Sequence, residues 1–272
     1  MLKTGFCETI HGRIAWADSG GEGPVVLLIH GNSSCKEIFG RQLVSELGLG
    51  YRMIAFDLPG HGASSDAPDP SLTYSIHGYA DAAMALLEAL KIDKAVVVGW
   101  SLGGHAALEM LGRWPGTIAA WITGTPPAGG ADMGEAFLPS EHMAFTFKET
   151  FTDEEAKAFA QEAIGHNTEL LPWMVTAAKR ADGRFRPMML QSVAEGRDMD
   201  GRAVAGSAKQ PLAVVSGEKE PFASNAFMRS VTYGNLWDGK VHILEGLGHM
   251  PFWEDAGVVN PLLGRFLDEV TG

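Results

Sequence analysis

The stretch Lys94 to Ala107, KAVVVGWSLGGHAA, constrains this chain more than any other. Ala95, Val96, Val97 and Val98 form an apolar run rich in β-branched residues, which predicts a strand buried on both faces. From Leu102 onward the small and apolar residues (Leu102, Ala106, Ala107, Met110, Leu111) fall at helical spacing. Strand must therefore become helix within Gly99-Trp100-Ser101-Leu102-Gly103, a turn in which a Cβ at either glycine would collide with the adjoining element. Such a turn lifts the Ser101 hydroxyl above a helix N-terminus, where unpaired N–H groups favour developing negative charge. In a chain with 34 glycines a bare G-x-S-x-G carries little weight. Its setting between strand and helix, and the partners found downstream, carry the weight.

The rest of the chain alternates around that stretch. Residues 6–18 read as a hairpin, Cys7 to Ile10 and Arg13 to Asp18 about a turn at His11-Gly12. Val25 to Ile29 is a buried strand, followed by a helix from Lys36 to Leu47 and a strand from Arg52 to Asp57. Ser75 to Leu90 reads as a helix with Tyr79, Ala82, Leu86 and Leu90 on one face, and Ile118 to Thr123 as a strand. Strands alternating with helices predict an α/β fold, a mostly parallel sheet covered on both faces. Between Pro126 and Ala208 only helical patterns remain: Thr152 to Ile164, opened by a Thr152/Glu155 capping box, Asn167 to Lys179, broken at Pro172, and one beginning near Pro187. Strands resume at Leu212 to Ser216 and Val241 to Leu244, and Pro261 to Val270 closes the chain as a helix. The expected organisation is a core of residues 1–125 and 209–272 with a helical cap, 126–208, over the strand C-termini, where open α/β sheets bind ligands. Met133, Met143, Met174, Met188, Met189 and Met199 lie in that cap, joined by Phe137, Phe145, Phe147, Phe151, Phe159, Phe185 and Trp173. As a set they suit a pliable apolar wall for an acyl or alkyl chain.

Composition narrows the function classes. At 272 residues the chain can bury a large single-domain core. Its net charge of −12, without a basic patch, argues against nucleic acid or an anionic membrane as partner. Cys7 and Cys35 have no metal or redox spacing and read as small apolar residues. No run approaches a membrane span and the first residues lack a signal-peptide apolar region, so the expected location is cytoplasmic. Neither repeats nor low-complexity segments occur.

A serine hydroxyl is a poor nucleophile and needs a base within reach, itself oriented by a third group. Of nine histidines, His249 in Leu247-Gly248-His249-Met250-Pro251 sits just beyond the last strand, where a base would meet Ser101. His242 falls within a strand, His11 in a turn, and His142 and His166 in the cap. His105 is expected to make local hydrogen bonds, and His30 and His61 to be structural. The acid should follow a strand between serine and histidine, and Gly217-Glu218-Lys219-Glu220 supplies Glu220 at the loop tip with Glu218 as its rival. Asp57 and Glu254 are expected to tie loops. Two oxyanion donors are required, and the Leu102 and Asn32 backbones are the simplest.

These strings carry a resemblance. HGN (30–32), DLPGHG (57–62), GWSLGGH (99–105), GEKEP (217–221) and GLGHMP (246–251) resemble the α/β-hydrolases along nearly the whole chain. More narrowly, DLPGHGASSDAPDP, GWSLGGH, ITGTPP (122–127) and GNLWDGK (234–240) are similar to the α/β-hydrolase-fold N-acyl-homoserine lactonases, which open the lactone ring of quorum-sensing signals. The resemblance implies Ser101, Glu220 and His249 as a triad, with Asn32 and Leu102 as oxyanion hole. All four tyrosines (Tyr51, Tyr74, Tyr79, Tyr233) lie outside the cap, so Phe159 stands where a polar aromatic would reach the substrate.

The leading expectation is therefore a serine lactonase acting through an acyl-enzyme. Trp100, Phe137, Met143, Phe147, Phe159 and Met189 are expected against a small lactone or ester with an apolar acyl chain. No cofactor and no obligate protein partner are expected, and without H-x-H or clustered ligand histidines a metal-dependent route is disfavoured. Dehalogenase chemistry is disfavoured because serine, not aspartate, holds the nucleophile position. The alternatives are a general carboxylesterase or other lactone hydrolase, and a slow or non-catalytic receptor on the same fold.

Overall fold

A computed structural model describes residues 2–140, 142–165 and 168–272. Its centre is an eight-stranded sheet in the order β1-β2-β4-β3-β5-β6-β7-β8. The strands are β1 (Lys3–Thr9), β2 (Gly12–Asp18), β3 (Val25–Ile29), β4 (Arg52–Phe56), β5 (Ala95–Trp100), β6 (Thr117–Thr123), β7 (Leu212–Gly217) and β8 (His242–Leu244). The β1–β2 and β2–β4 pairings are antiparallel and all others parallel. Alternate residues of the inner strands enter separate cores. Leu27, Ile29, Val97, Ala120, Ile122, Leu212 and Val214 face one, while Val26, Leu28, Val96, Val98, Trp121, Ala213 and Val215 face the other. Burial on both faces is why these strands are apolar without alternation.

The register brings one end of the sheet together. Ile29 pairs with Gly99, Trp100 with Thr123, and Thr123 with Val215. The loops beginning at His30, Ser101, Gly124 and Glu218 therefore leave from the same edge. Between β6 and β7 the described chain contains helices but no strand of the sheet: Met133–Ala136, Asp153–Ile164, Pro172–Arg180, Phe185–Ala194 and Gly201–Ser207. The Thr152/Glu155 capping box opens the second of these.

Several sequence expectations need correction. Residues 36–47 do not form one helix. A 3-10 turn (Lys36–Phe39) is followed by short helices Gly40–Leu43 and Glu46–Gly50, the last capped by Ser45, whose hydroxyl accepts from the Leu47 N–H. A serine hydroxyl bonding nearby backbone competes with continued helix there. The final helix starts at Ala256 rather than Pro261, capped by the Asp255 carboxylate, and carries Pro261 inside it. The helix expected to begin near Pro187 is present and starts at Phe185. The helix expected from Asn167 begins at Pro172, with Pro at its first position, and Asn167 and His166 lie outside the described residues. Gly201–Ser207 and Asn225–Ser230 are further helices, too short to show a period. No helix among the described residues is long and apolar enough to cross a membrane.

The turn after β5 is as tight as its glycines imply. A Cβ on Gly99 would lie 2.1 Å from the Gly103 carbonyl oxygen, and one on Gly103 would lie 2.1 Å from that of Ile29. Gly103→Ala should therefore lower stability by ~1–3 kcal/mol, the usual cost of overpacking a close contact. Gly40→Ala, where no atom lies within 4 Å of the new methyl, should raise it by ~0.5–1 kcal/mol. Urea midpoints of the two variants that move in the same direction would contradict this account.

Candidate active site

Ser101 occupies the turn with φ 54° and ψ −119°, a region L-residues rarely enter. Surrounding bonds impose it: the Ser101 N–H donates to the Thr123 oxygen at 2.9 Å, and the Ser101 oxygen accepts from Gly104 N–H at 2.8 Å and Thr125 Oγ1 at 3.1 Å. Strain of this kind, ~1–3 kcal/mol, persists only where the neighbourhood over-determines it. The side chain faces a cavity of about 610 Å3, also lined by Asn32, Trp100, Leu102, His105 and His249.

The His249 imidazole is buried and its Nδ1 lies 2.7 Å from Glu220 Oε2. An ionised carboxylate only accepts, so Nδ1 carries a proton, and in the neutral ring Nε2 keeps its lone pair. Glu220 Oε1 accepts from the N–H groups of Phe222 (2.9 Å) and Ala223 (3.2 Å), so the carboxylate is held on both oxygens. Its sequence rival Glu218 is exposed and accepts from Gly246 N–H. The imidazole is further packed by Phe222, edge-on at 4.9 Å, and by Trp100, whose Nε1–H donates to the His249 oxygen at 2.9 Å. Glu254 cages the preceding loop, accepting from Gly248 N–H at 2.9 Å and Met250 N–H at 3.1 Å, and burial pushes its carboxyl pKa up. Gly124, at φ 56°, leaves room for the pair: a Cβ there would lie 2.7 Å from His249 Nδ1 and 3.0 Å from Glu220 Oε2.

Across the cavity, the backbone N–H groups of Asn32 and Leu102 donate to no described acceptor. The Asn32 side chain is committed elsewhere: Nδ2 donates to the Thr146 oxygen at 3.1 Å and Oδ1 accepts from Ser33 Oγ at 2.5 Å. Only its main-chain N–H is left without an acceptor among the described residues. His30 and His61 organise this loop and its neighbour. Leu58 N–H donates to His30 Nε2, and Ser33 N–H to His61 Nε2, while each Nδ1–H donates to a carbonyl, Gly31 and Pro59. Each ring must stay neutral, because a proton on Nε2 would oppose an N–H; burial accordingly depresses both pKa values, that of His61 strongly. Asp57 accepts from Lys36 N–H and Nζ and from Ala63 N–H, closing the loop after β4 onto the loop after β3.

All six wall residues expected from sequence, Trp100, Phe137, Met143, Phe147, Phe159 and Met189, line the cavity, as do Met133 and Met199. Met174 and Met188 instead pack into the cores. His105 departs from expectation. Its ring makes no hydrogen bond with any described residue; it lines the cavity, and burial pulls its pKa down to about 4. Phe222 and Gly124 escaped the sequence reading because their roles are set by an imidazole distant in sequence.

Three neutral imidazoles, two buried and one half-buried, imply an acid-sensitive fold. His30, His61 and His105 take up protons near pH 6.5 when unfolded but resist them when folded. The unfolded chain then binds more protons, so stability falls as pH drops below 6.5, by ~1.4 kcal/mol per pH unit for each proton withheld. For His105 the loss should continue to about pH 4. Urea titrations at pH 7 and pH 5 should show a large drop, reduced in His105→Leu. An unchanged midpoint would refute the assignment of neutral rings.

Comparison with known proteins places this geometry in context. Residues 26–262 match the model of the alpha/beta hydrolase family. The structure is similar to that of the N-acyl homoserine lactonase AidH complexed with N-butanoyl homoserine: TM-score 0.96, 41% identity, covering 99% of this chain and 97% of that one. A serine-to-glycine variant of AidH complexed with N-hexanoyl homoserine lactone is as similar, at TM-score 0.96 and 41% identity over 99% of this chain and 98% of that one. Among curated proteins, a 2-hydroxy-6-oxononadienedioate/2-hydroxy-6-oxononatrienedioate hydrolase from Pseudomonas sp is 25% identical over 280 residues, 95% of this chain and 93% of its own.

Proposed function

The chain belongs to the alpha/beta hydrolase family, and from that premise we propose that it opens the ring of N-acyl-homoserine lactones through a Ser101–His249–Glu220 triad. The observation that carries the substrate assignment is the full-length similarity to AidH, whose structures hold N-butanoyl homoserine and N-hexanoyl homoserine lactone. The serine mechanism is supported by the 2.7 Å Nδ1–Oε2 contact and by the strained elbow that turns Ser101 toward the same cavity.

In this mechanism Ser101 Oγ attacks the lactone carbonyl while His249 Nε2 takes its proton. Glu220 steadies the resulting imidazolium. The Asn32 and Leu102 N–H groups receive the oxyanion, each such donor contributing ~3–4 kcal/mol to the barrier reduction. Collapse breaks the ring C–O bond, and His249 returns the proton to the departing alkoxide. Water, deprotonated by the same imidazole, then attacks the ester and releases N-acyl-homoserine. The leaving hydroxyl stays tethered to the acyl group, so recyclisation competes with water at high effective concentration. Turnover requires that hydroxyl to swing away, and the helical segment 126–208, acting as a cap, provides the space.

The cavity matches the substrate class. Its volume lies within the ~300–1,000 Å3 usual for small-molecule sites, and its wall is mostly apolar with a few polar groups beside Ser101. Phe159, 6% exposed, presents an apolar edge where a tyrosine would offer a phenol.

Chromatographic product analysis tests the reading. The wild type should convert N-hexanoyl homoserine lactone to N-hexanoyl homoserine, and Ser101→Ala should not. Glu220→Gln should lower kcat by roughly 10^2–10^4, as expected when the imidazole loses its orienting anion. Equal or faster turnover of nitrophenyl esters would replace the lactonase with a general carboxylesterase. No covalent labelling of Ser101 by a fluorophosphonate would leave a receptor instead.

A further inference from the structure

One buried cation takes no part in the chemistry above. Arg186, in the helix Phe185–Ala194, is 1% exposed and lies outside the cavity wall. Its guanidinium stacks on Phe151 at 4.0 Å and donates to the carbonyl oxygens of Lys148 (3.0 Å) and Glu149 (2.9 Å). Its other edge leaves the helical segment altogether: Nη2 and Nε donate to Ser33 Oγ at 2.7 and 3.1 Å. Burial draws its pKa down to about 10, which leaves it cationic at neutral pH.

A chain of forced polarities runs from that contact. A hydroxyl has two acceptor sites and one proton. With both acceptor sites of Ser33 filled by the guanidinium, its proton can only point outward, and Asn32 Oδ1 receives it at 2.5 Å. That fixes which way the Asn32 amide faces, so Nδ2 donates to the Thr146 oxygen, again in the helical segment. Ser33 itself is held at φ 57°, and its N–H is spent on His61 Nε2. The Asn32–Ser33 segment, which adjoins the peptide presenting the Asn32 N–H, is thus clamped by groups from residues 126–208 as well as by the core. Neighbouring residues reinforce the seat: Asp182 accepts from Tyr74 Oη at 2.5 Å, and Arg180 Nη2 donates to the Ser64 oxygen at 2.6 Å.

We propose that Arg186 is a positioning residue for the oxyanion hole, acting through Ser33 and Asn32, so that seating of the helical segment and alignment of the Asn32 N–H are one event. A displaced segment would leave nucleophile and base intact but the oxyanion half-supported. The inference rests on the serine-hydrolase reading but not on which ester is cleaved.

Arg186→Met and Ser33→Ala test it, with nitrophenyl acetate and N-hexanoyl homoserine lactone as substrates and an alkylboronic acid as tetrahedral mimic. Arg186→Met should lower kcat at least tenfold with KM within threefold, and weaken the boronate by a similar factor. Affinity for N-hexanoyl homoserine, which has no tetrahedral oxyanion, should hardly change. Ser33→Ala should show a smaller loss of the same kind, and the double variant should be no worse than Arg186→Met alone, because both cut one relay. Millimolar guanidinium should restore part of the activity of Arg186→Ala. If Arg186→Met does not fold, the same kcat-against-KM split in Ser33→Ala decides the matter. Unchanged kcat, a loss confined to KM, or a strictly additive double variant would overturn the proposal. A wild type that neither cleaves esters nor reacts with fluorophosphonate would instead remove the serine reading beneath it.

Discussion

The structure depends on one close approach, that of the helix Leu102–Arg113 to the carboxyl ends of β3 and β5. Ile29 and Gly103 come so near that no Cβ fits between them. That contact holds the helix N-terminus against the sheet edge and forces Ser101 into its left-handed conformation. A looser junction would relieve the strain, but Leu102 N–H and the Ser101 hydroxyl would no longer share one small region of space. The conformational cost is local, and the two apolar cores of the sheet stabilise the surroundings against it.

Around that junction the loops are organised by polar groups buried at the sheet edge. A buried donor or acceptor left unmatched costs ~1–3 kcal/mol, so the pairings are strict. Asp57 closes the loop after β4, neutral His30 and His61 support the loops after β3 and β4, and Glu254 cages the turn that carries His249. Neutral imidazoles, the Asp57–Lys36 pair and the Arg186 guanidinium hold the loops after β3 and β4, while the Glu220 carboxylate holds the His249 ring.

The helical segment between β6 and β7 contributes in two ways. Its methionines and phenylalanines give the cavity a pliable apolar wall. Its buried Arg186 reaches past the cavity and donates to Ser33 in the loop after β3. One element therefore supplies both an apolar wall of the cavity and a cation that fastens the loop after β3.

Much of this was legible in the linear chain. The β-branched runs at Val25–Ile29, Ala95–Val98 and Leu212–Ser216 define buried strands because no half-exposed strand tolerates such continuity, and the elbow follows from where one run meets helical spacing. Ser101, His249 and Glu220 could be nominated because each follows a strand. Tertiary structure decided the rest. Glu220 rather than Glu218 faces the imidazole because the loop after β7 buries one carboxylate and exposes the other, and periodicity cannot separate residues two apart in a loop. Pro261 looked like a helix start and proved to lie inside a helix, since packing against the core outweighs one lost hydrogen bond. Arg186 would pass for a surface cation in any reading of RFRP, and His105 for a locally bonded ring. Their environments consist of residues distant in sequence, and only folding brings those together.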